Sequence, residues 1–341
     1  MFMPKKPLII AEIGQAHDGS LGMAHSYIDA VHRAGVDGVK FQTHIANAET
    51  TKAEPWRIKF SKQDKTRFDY WKRMEFSEDQ WAGLKEHASS KKLIFLSSVF
   101  SLEAFEMLNR IGVYAWKVAS GEINNVPLLN KMVDTNIPIW ISTGMSDYNE
   151  ISKILKIIEK PSSDITLFQC TSSYPTNPEQ IGLNVIKELK EKFKYNVGLS
   201  DHSGTIFPSL AATLMGVSVI EIHVVFSKES FGPDVTSSVE LKQLKELVKG
   251  VDFLYKSINN PVDKNFVSND MKKMRNIFMK KIVTTEKIRK NEKFTCNNIT
   301  TKKSQNGLSS VHWPRIIQSK SNKNLSVGHW LKNNDISKDS K

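Results

Sequence analysis

The stretch AWKVASGEINNVPLLNKMVDTNIPIWIS, residues 115–142, holds one full repeat of the chain's architecture. It opens on a short apolar run, Ala115–Ala119, and turns through polar residues. An apolar spacing of three and four residues follows over Val126–Asp134, and a second apolar run closes the stretch at Ile137–Ser142. Short runs of this kind read as strands buried on both faces, and the wider spacing reads as an amphipathic helix. Working outward, the alternation repeats in both directions. Strands are predicted at Leu8–Ile13, Val36–Gln42, Leu93–Ser97, Ile165–Cys170, Asn196–Leu199 and Val217–His223 besides the two already quoted. Helices are predicted at Met23–Ala34, Asp79–Ser90, Leu102–Asn109, Glu150–Glu159, Leu183–Lys192, Pro208–Leu214 and Leu241–Lys256. Strict alternation implies right-handed crossovers and a parallel sheet. Eight such units in about 255 residues is the size of a closed (β/α)8 TIM barrel, which makes the chain an α/β protein. An open doubly wound sheet would carry a G-x-G-x-x-G turn after its first strand. Here that turn reads GQAHDGS, residues 14–20.

The barrel is expected over 1–258. The polar stretch SINNPVDKNFVSND suggests a linker over 259–275, and 276–341 reads as a small β-rich domain with a short helix at Ser309–Ile317. One connection is abnormally long. Thr43 to Ser77 follows the second strand, on the face where barrels keep their active sites, so a lid or substrate-contacting loop is expected there.

Bulk properties narrow the class. No apolar stretch reaches the ~18 residues of a membrane span. Two lysines precede the first apolar run, but the run is short and meets Glu12, so it reads as a strand of a cytoplasmic protein. Cys170 and Cys296 are the only cysteines, which suggests a reducing compartment. Charge is unevenly spread. From Met271 onward there are 17 Lys and Arg against 4 Asp and Glu, a net of +13, while the whole chain carries +12; residues 1–270 therefore carry about −1. The tail has no interleaved aromatic series and no zinc-finger or RNA-binding signature. Attraction of a small anionic substrate is the better reading of its charge than nucleic acid.

Polar residues collect where the strands end, and in a barrel those ends form one rim. They are Glu12; Lys40 and Gln42; Ser97 and Ser98; Lys117, Ser120 and Glu122; Ser142 and Thr143; Thr171, Ser172 and Tyr174; Ser200, Asp201 and His202; Glu221 and His223. A single serine there is commonly a helix cap. Two lysines on strand interiors are another matter, since burying them unpaired is costly. They call for an anion between them, and with the hydroxyls they make a cradle for phosphate and carboxylate. His202 and His223 end adjacent strands and can share one divalent ion.

At these residues the chain resembles the sialic acid synthase family, enzymes that join phosphoenolpyruvate to N-acetylmannosamine or a related amino sugar. IAEIGQAHDGS, VKFQT, WKVASGE, ISTGM, SSYPT, GLSDHSG and GPDVTSS match in order and spacing, although Ala16 and Asp18 stand where Asn is usual. KIVTTEKIRKNEKFTCNNITTKK and LSVGHWLKNNDI resemble the family's C-terminal antifreeze-like (SAF) domain, so the likeness covers nearly the whole chain. The resemblance implies condensation of phosphoenolpyruvate with an N-acyl amino-sugar aldehyde to a nonulosonic acid and phosphate. The alternative is a related synthase or aldolase acting on a non-acetamido sugar. By the same likeness Lys40, Ser98, Lys117, Ser120, Ser142 and Ser200 hold phosphoenolpyruvate. Tyr174 lies near both substrates, and Ser172 beside it stands where some members have Asn. His202 and His223 hold manganese or magnesium, and Glu122 lies beside the metal and its water as base. Glu12, Gln42 and Asp234 touch the sugar. A domain-swapped homodimer is implied too, with no nucleic acid or membrane partner. One departure stands out: the family's tail Arg, which reaches the partner's active site, is replaced here by Lys303. That change points to an acceptor other than plain N-acetylmannosamine.

Overall fold

The computed structural model describes residues 5–158, 160 and 164–337. Strands β1 (Leu8–Gly14), β2 (Gly38–Thr43), β3 (Ile94–Val99), β4 (Trp116–Val118), β5 (Ile139–Ser142), β6 (Ile165–Cys170), β7 (Asn196–Asp201) and β8 (Val219–Val225) pair in parallel in chain order. β1 also pairs with β8, Leu8 opposite Val219 and Glu12 opposite His223, which closes the (β/α)8 barrel. The helices of the barrel domain are α1 (Leu21–Ala34), α2 (Ala46–Glu49), α3 (Arg67–Met74), α4 (Glu78–Ser90), α5 (Leu102–Ile111), α6 (Val126–Asp134), α7 (Tyr148–Ile158), α8 (Leu183–Phe193), α9 (Phe207–Leu214) and α10 (Leu241–Ile258). A two-residue strand, β9 (Val239–Glu240), adds to β8. Element ends differ from the sequence reading by one or a few residues because caps, not apolar spacing, set them. Ser20, Ser77 and Ser101 accept from the backbone N–H of Met23, Gln80 and Ala104 and fix the starts of α1, α4 and α5. Glu159, the expected last residue of α7, lies outside the described residues.

The barrel interior is layered, and strand alternation explains how. Ile10, Leu96, Ala115, Trp140, Phe168 and Val219 form a buried apolar floor. Two residues further along each strand, on the same face, stand Glu12, Ser98, Lys117, Ser142, Cys170 and Glu221, which line the cavity above it. The intervening residues, such as Ile9, Ala11, Val118, Ile141 and Leu167, point outward into the main core. The large floor residues need room: a Cβ at Gly198 would come 2.7 Å from the Phe168 ring.

The long insertion has a core of its own. Ala46, Tyr70, Trp71 and Met74 are buried, with Trp56, Phe60 and Phe68 packed on them. A capping box between Thr66 and Asp69 starts α3. Arg73 pins the segment to the turn after β1, donating to the Asp18 carboxylate and carbonyl at 2.8 Å each.

The chain divides into two units, Met1–Pro261 and Val262–Lys341. The second contains α11 (Asn269–Phe278), antiparallel β10 (Lys280–Thr284) and β11 (Ile299–Lys303), and α12 (Trp313–Ile316), which follows a 3-10 turn at Ser310–His312. Its core is Ile282, Ile288, Phe294, Ile299, Ile316, Leu325 and Leu331. The stretch expected as linker, 259–275, thus contains most of a helix. The turn-forming residues before it mask the period of Met271, Met274 and Ile277, and Ser268 caps it by accepting from Met271 N–H.

Candidate active site

Fourteen of the fifteen site residues expected from the sequence line one cavity of about 400 Å³ at the C-terminal ends of the strands. Lys303 belongs to the second unit, where it is exposed at the end of β11 with its Nζ 5.1 Å from the Phe278 ring.

The floor of the cavity is an ion-pair network. Lys40 Nζ lies 2.7 Å from Glu12 Oε2 and 3.8 Å from Glu221 Oε2, and donates to Ser98 Oγ at 3.0 Å. Lys117 Nζ lies 3.5 Å from Glu221 Oε1, donates to Ser142 Oγ and sits 5.0 Å from the Phe168 ring. The sequence reading put a substrate anion between two otherwise unpaired lysines. The structure differs: Glu221 already lies between them, and Glu12 pairs with Lys40. Glu221 stands two residues before His223, so the strand period that aims His223 inward aims it inward too. Burial works against the Lys40 charge, yet Glu12 and Glu221 hold its pKa above the ordinary lysine value. Burial wins at Lys117, whose pKa lies below it. Glu12 is pushed up by burial and held in place from the other side, its Oε1 accepting from Gln42 Nε2, which in turn is held by Gln15. Hydroxyls surround the lysines. Ser200 donates to Glu221, Ser120 Oγ accepts from Gly144 N–H, and Ser172 Oγ is enclosed without a protein partner. Gly144 is required here, because a Cβ would come 2.5 Å from Cys170 Sγ and 2.7 Å from Ser172 Oγ.

His202 and His223 form the opposite wall, with ring centroids 5.3 Å apart. His202 Nδ1 donates to the Thr171 carbonyl at 2.8 Å, which leaves the Nε2 lone pair free. Burial, then the neighbouring His223, hold the His202 pKa down to about 4, so the ring is neutral. Among the described residues no three His, Cys, Asp or Glu side chains gather as a ligand set, so His202 and His223 would give a divalent ion two protein positions and leave the others to water or substrate. Tyr174 stacks on His202 at 4.3 Å, and the Arg57 guanidinium covers the same tyrosine at 4.3 Å. Arg57 comes from the insertion. It donates to Asp234 Oδ1 at 2.9 Å and to the Pro233 carbonyl at 3.0 Å, so the insertion reaches the loop after β8.

Glu122 sits on the turn after β4 and accepts from Asn125 Nδ2 at 2.8 Å; burial raises its pKa. Asp201, one of the rim residues, is instead structural, accepting from Ser203 N–H and the Ser209 hydroxyl. Sequence reasoning missed Gln15, His44, Glu49, Arg57 and Trp71, all lining the cavity. Four of them lie on the insertion: His44 and Arg57 on irregular backbone, and Glu49 and Trp71 on the short helices α2 and α3, which the sequence reading left within a loop.

A family model described as the NeuB family matches residues 27–263. The chain is 36% identical over 326 residues to the N,N'-diacetyllegionaminic acid synthase of Campylobacter jejuni, spanning 94% of this chain and 97% of that one. It is 30% identical to the pseudaminic acid synthase of the same organism, over 97% of each chain. Among solved structures, the sialic acid synthetase of Leptospira borgpetersenii in complex with citrate superposes with a TM-score of 0.69 at 29% identity, covering 80% of this chain and 93% of that one. With the rim motifs, the closed barrel and this full-length likeness together, the chain belongs to the NeuB family, the sialic acid synthase family its motifs resemble.

Proposed function

We propose that the protein condenses phosphoenolpyruvate with the open-chain aldehyde of an N-acyl amino sugar, giving a nonulosonic acid and phosphate. The observation that carries the reading is the cavity's division into a lysine-and-hydroxyl floor and a two-histidine wall. Lys40, Lys117, Ser98, Ser120, Ser142 and Ser200 hold the phosphate and carboxylate of phosphoenolpyruvate on that floor. Tyr174, Gln42, Glu12 and Asp234 place the sugar above it. Its C3 then faces the aldehyde, and positioning alone supplies a large share of the acceleration. A divalent ion, manganese or magnesium, held by His202 and His223 would supply Lewis-acid polarisation of the aldehyde oxygen. Once the carbon–carbon bond has formed, C2 is electrophilic, and Glu122 takes a proton from the water that adds there. Phosphate leaves by cleavage of the C2–O bond.

The acceptor belongs to the same proposal. Lys303 cannot copy the fork of a guanidinium, whereas Arg57 brings one to the mouth on the insertion. A 2,4-diacetamido hexose fits this wall better than N-acetylmannosamine, in keeping with the likeness to a synthase of an N,N'-diacetylated product. A domain-swapped homodimer in the cytoplasm completes the reading. Phosphate release and product mass across a panel of 2-acetamido and 2,4-diacetamido hexoses, with and without Mn2+, test it. A diacetamido substrate should give the highest kcat/KM. Preference for N-acetylmannosamine would remove the acceptor assignment, and activity only with non-acetamido sugars would remove the reaction.

A further inference from the structure

The mechanism above leaves two enclosed imidazoles unused, His17 and His44, and of the two His44 lines the cavity. His44, just after β2, is 5% exposed and is clamped between two rings, Trp71 at 4.0 Å and Phe100 at 4.4 Å, nearly parallel to both. Its Nδ1 faces both oxygens of the Glu49 carboxylate, at 2.8 and 3.0 Å. A carboxylate only accepts, so Nδ1 is the donor to Glu49, and in the neutral form of the ring the lone pair is then on Nε2. Nε2 is enclosed and has no protein partner. Leaving such an atom bare costs about 1–3 kcal/mol, so a ligand is the natural supplier of the missing bond. His44, Glu49, Trp71 and Phe100 line the same cavity as Lys40, Ser98 and Glu122. Burial is the main cause of the raised Glu122 pKa, with smaller influences from the Glu49 charge, which raises it, and from His44, which lowers it. A phenyl ring would fill the clamp as well as an imidazole does. A buried carboxylate that fixes one ring nitrogen while the other is left without a protein partner is the arrangement of an oriented general acid–base.

We propose that His44 is a second catalytic residue, a proton carrier between water and the departing phosphate, and that Glu49 is its positioning residue. The inference rests on the condensation proposed above. Water's oxygen bonds to C2 as one of its O–H bonds breaks, and that proton goes to Glu122 and on to His44 Nε2. The imidazolium is held by Glu49. When the C2–O bond to phosphate breaks, the electron pair leaves on the phosphate oxygen, which takes the proton from Nε2. The proton left on the C2 hydroxyl goes, by way of Glu122, to the alkoxide at the former aldehyde carbon. Both protons of water are thus accounted for, and nothing is oxidised or reduced.

His44→Phe keeps the ring clamp and removes the proton carrier; Glu49→Gln keeps a partner for Nδ1 and removes its charge. In phosphate-release assays on the full-length enzyme, His44→Phe should lower kcat about 100-fold or more, with KM for phosphoenolpyruvate little changed. Glu49→Gln should lower kcat about 10-fold with the same split. A His44→Phe enzyme within about threefold of wild-type kcat overturns the proposal, and if that variant does not fold, an unchanged kcat in Glu49→Gln does so. A second readout needs no acceptor. In protein labelled with 15N-histidine, phosphoenolpyruvate alone should shift the imidazole signal that the substitutions identify as His44. A shift there upholds the contact even if every acceptor tried is inert, which would count against the condensation instead; no shift overturns it.

Discussion

Lys40 and Lys117 hold matching inward positions in unlike surroundings. Lys40 is committed to Glu12 at 2.7 Å, while Lys117 has only Glu221, at 3.5 Å, and burial already weakens its charge. Lys117→Met is therefore the cleaner probe of the anion site: KM for phosphoenolpyruvate should rise about tenfold or more, a loss of at least ~1.4 kcal/mol in binding, with the fold intact. An unchanged KM would return the lysine to a structural role. Lys40→Met strands the buried Glu12 carboxylate, since Glu221 keeps Lys117, and should also cost about 3–5 kcal/mol of stability, seen as a lowered Tm. Glu122 supplies a pH dependence whose sign is fixed. Its pKa is raised by burial, and it acts as the carboxylate, so activity is present above that pKa and lost as pH falls through it. The acid limb of kcat should accordingly lie above the 4.5 of an ordinary glutamate, and Glu122→Gln should remove turnover at every pH. On the opposite wall, excess EDTA should abolish turnover, and His223→Ala should not recover at ordinary Mn2+ concentrations. Full activity in EDTA would end the metal assignment.

At the scale of the element, the insertion after β2 behaves as a built wall. Its aromatic core and the Thr66–Asp69 capping box hold it together, Arg73 ties it to Asp18, and Arg57 ties it to Asp234. Arg57→Met should raise KM for the acceptor without moving KM for phosphoenolpyruvate, a split that steady-state kinetics reads directly; equal changes in both would mean that the wall merely shapes the cavity. The same element shows where sequence reading stops. The strands could be placed because each alternates an outward apolar residue with an inward one, and the step from Trp140 to Ser142, or from Val219 to Glu221, marks where floor becomes site. Ser98, Lys117 and His223 were legible for that reason. His44 and Arg57 were not, since their aim depends on Trp71, Phe100 and Asp234, partners brought near by tertiary packing and by no local period. Glu221 lay between these cases: its direction could be read, but its pairing with two lysines from other strands could not.

For the molecule as a whole, charge poses a problem that the barrel does not solve alone. Its cavity is lined by the carboxylates Glu12, Glu49, Glu54, Glu122, Glu221 and Asp234 against the cations Lys40, Arg57, Arg67 and Lys117; six against four leaves −2. The +2 of the proposed divalent ion would bring that lining only to neutrality, so its net charge adds little to the capture of an anion of several charges. The surplus positive charge of this chain lies beyond Met271, +13 on a segment whose β10 and β11 begin and end in exposed or half-exposed lysines. Placed over the mouth of a partner's barrel, as the proposed domain-swapped dimer would have it, that segment would supply a positive field and concentrate the substrate. Two measurements check the idea together. Sedimentation at assay concentration should give a dimer, and kcat/KM for phosphoenolpyruvate should fall as salt rises from about 0.05 to 0.5 M, because screening over roughly 10 Å or less cuts off the tail's attraction. Dilution that dissociates the dimer should lower kcat/KM in step with it. A monomer with full activity, or a kcat/KM indifferent to salt, would leave the basic segment without a part in capturing the substrate.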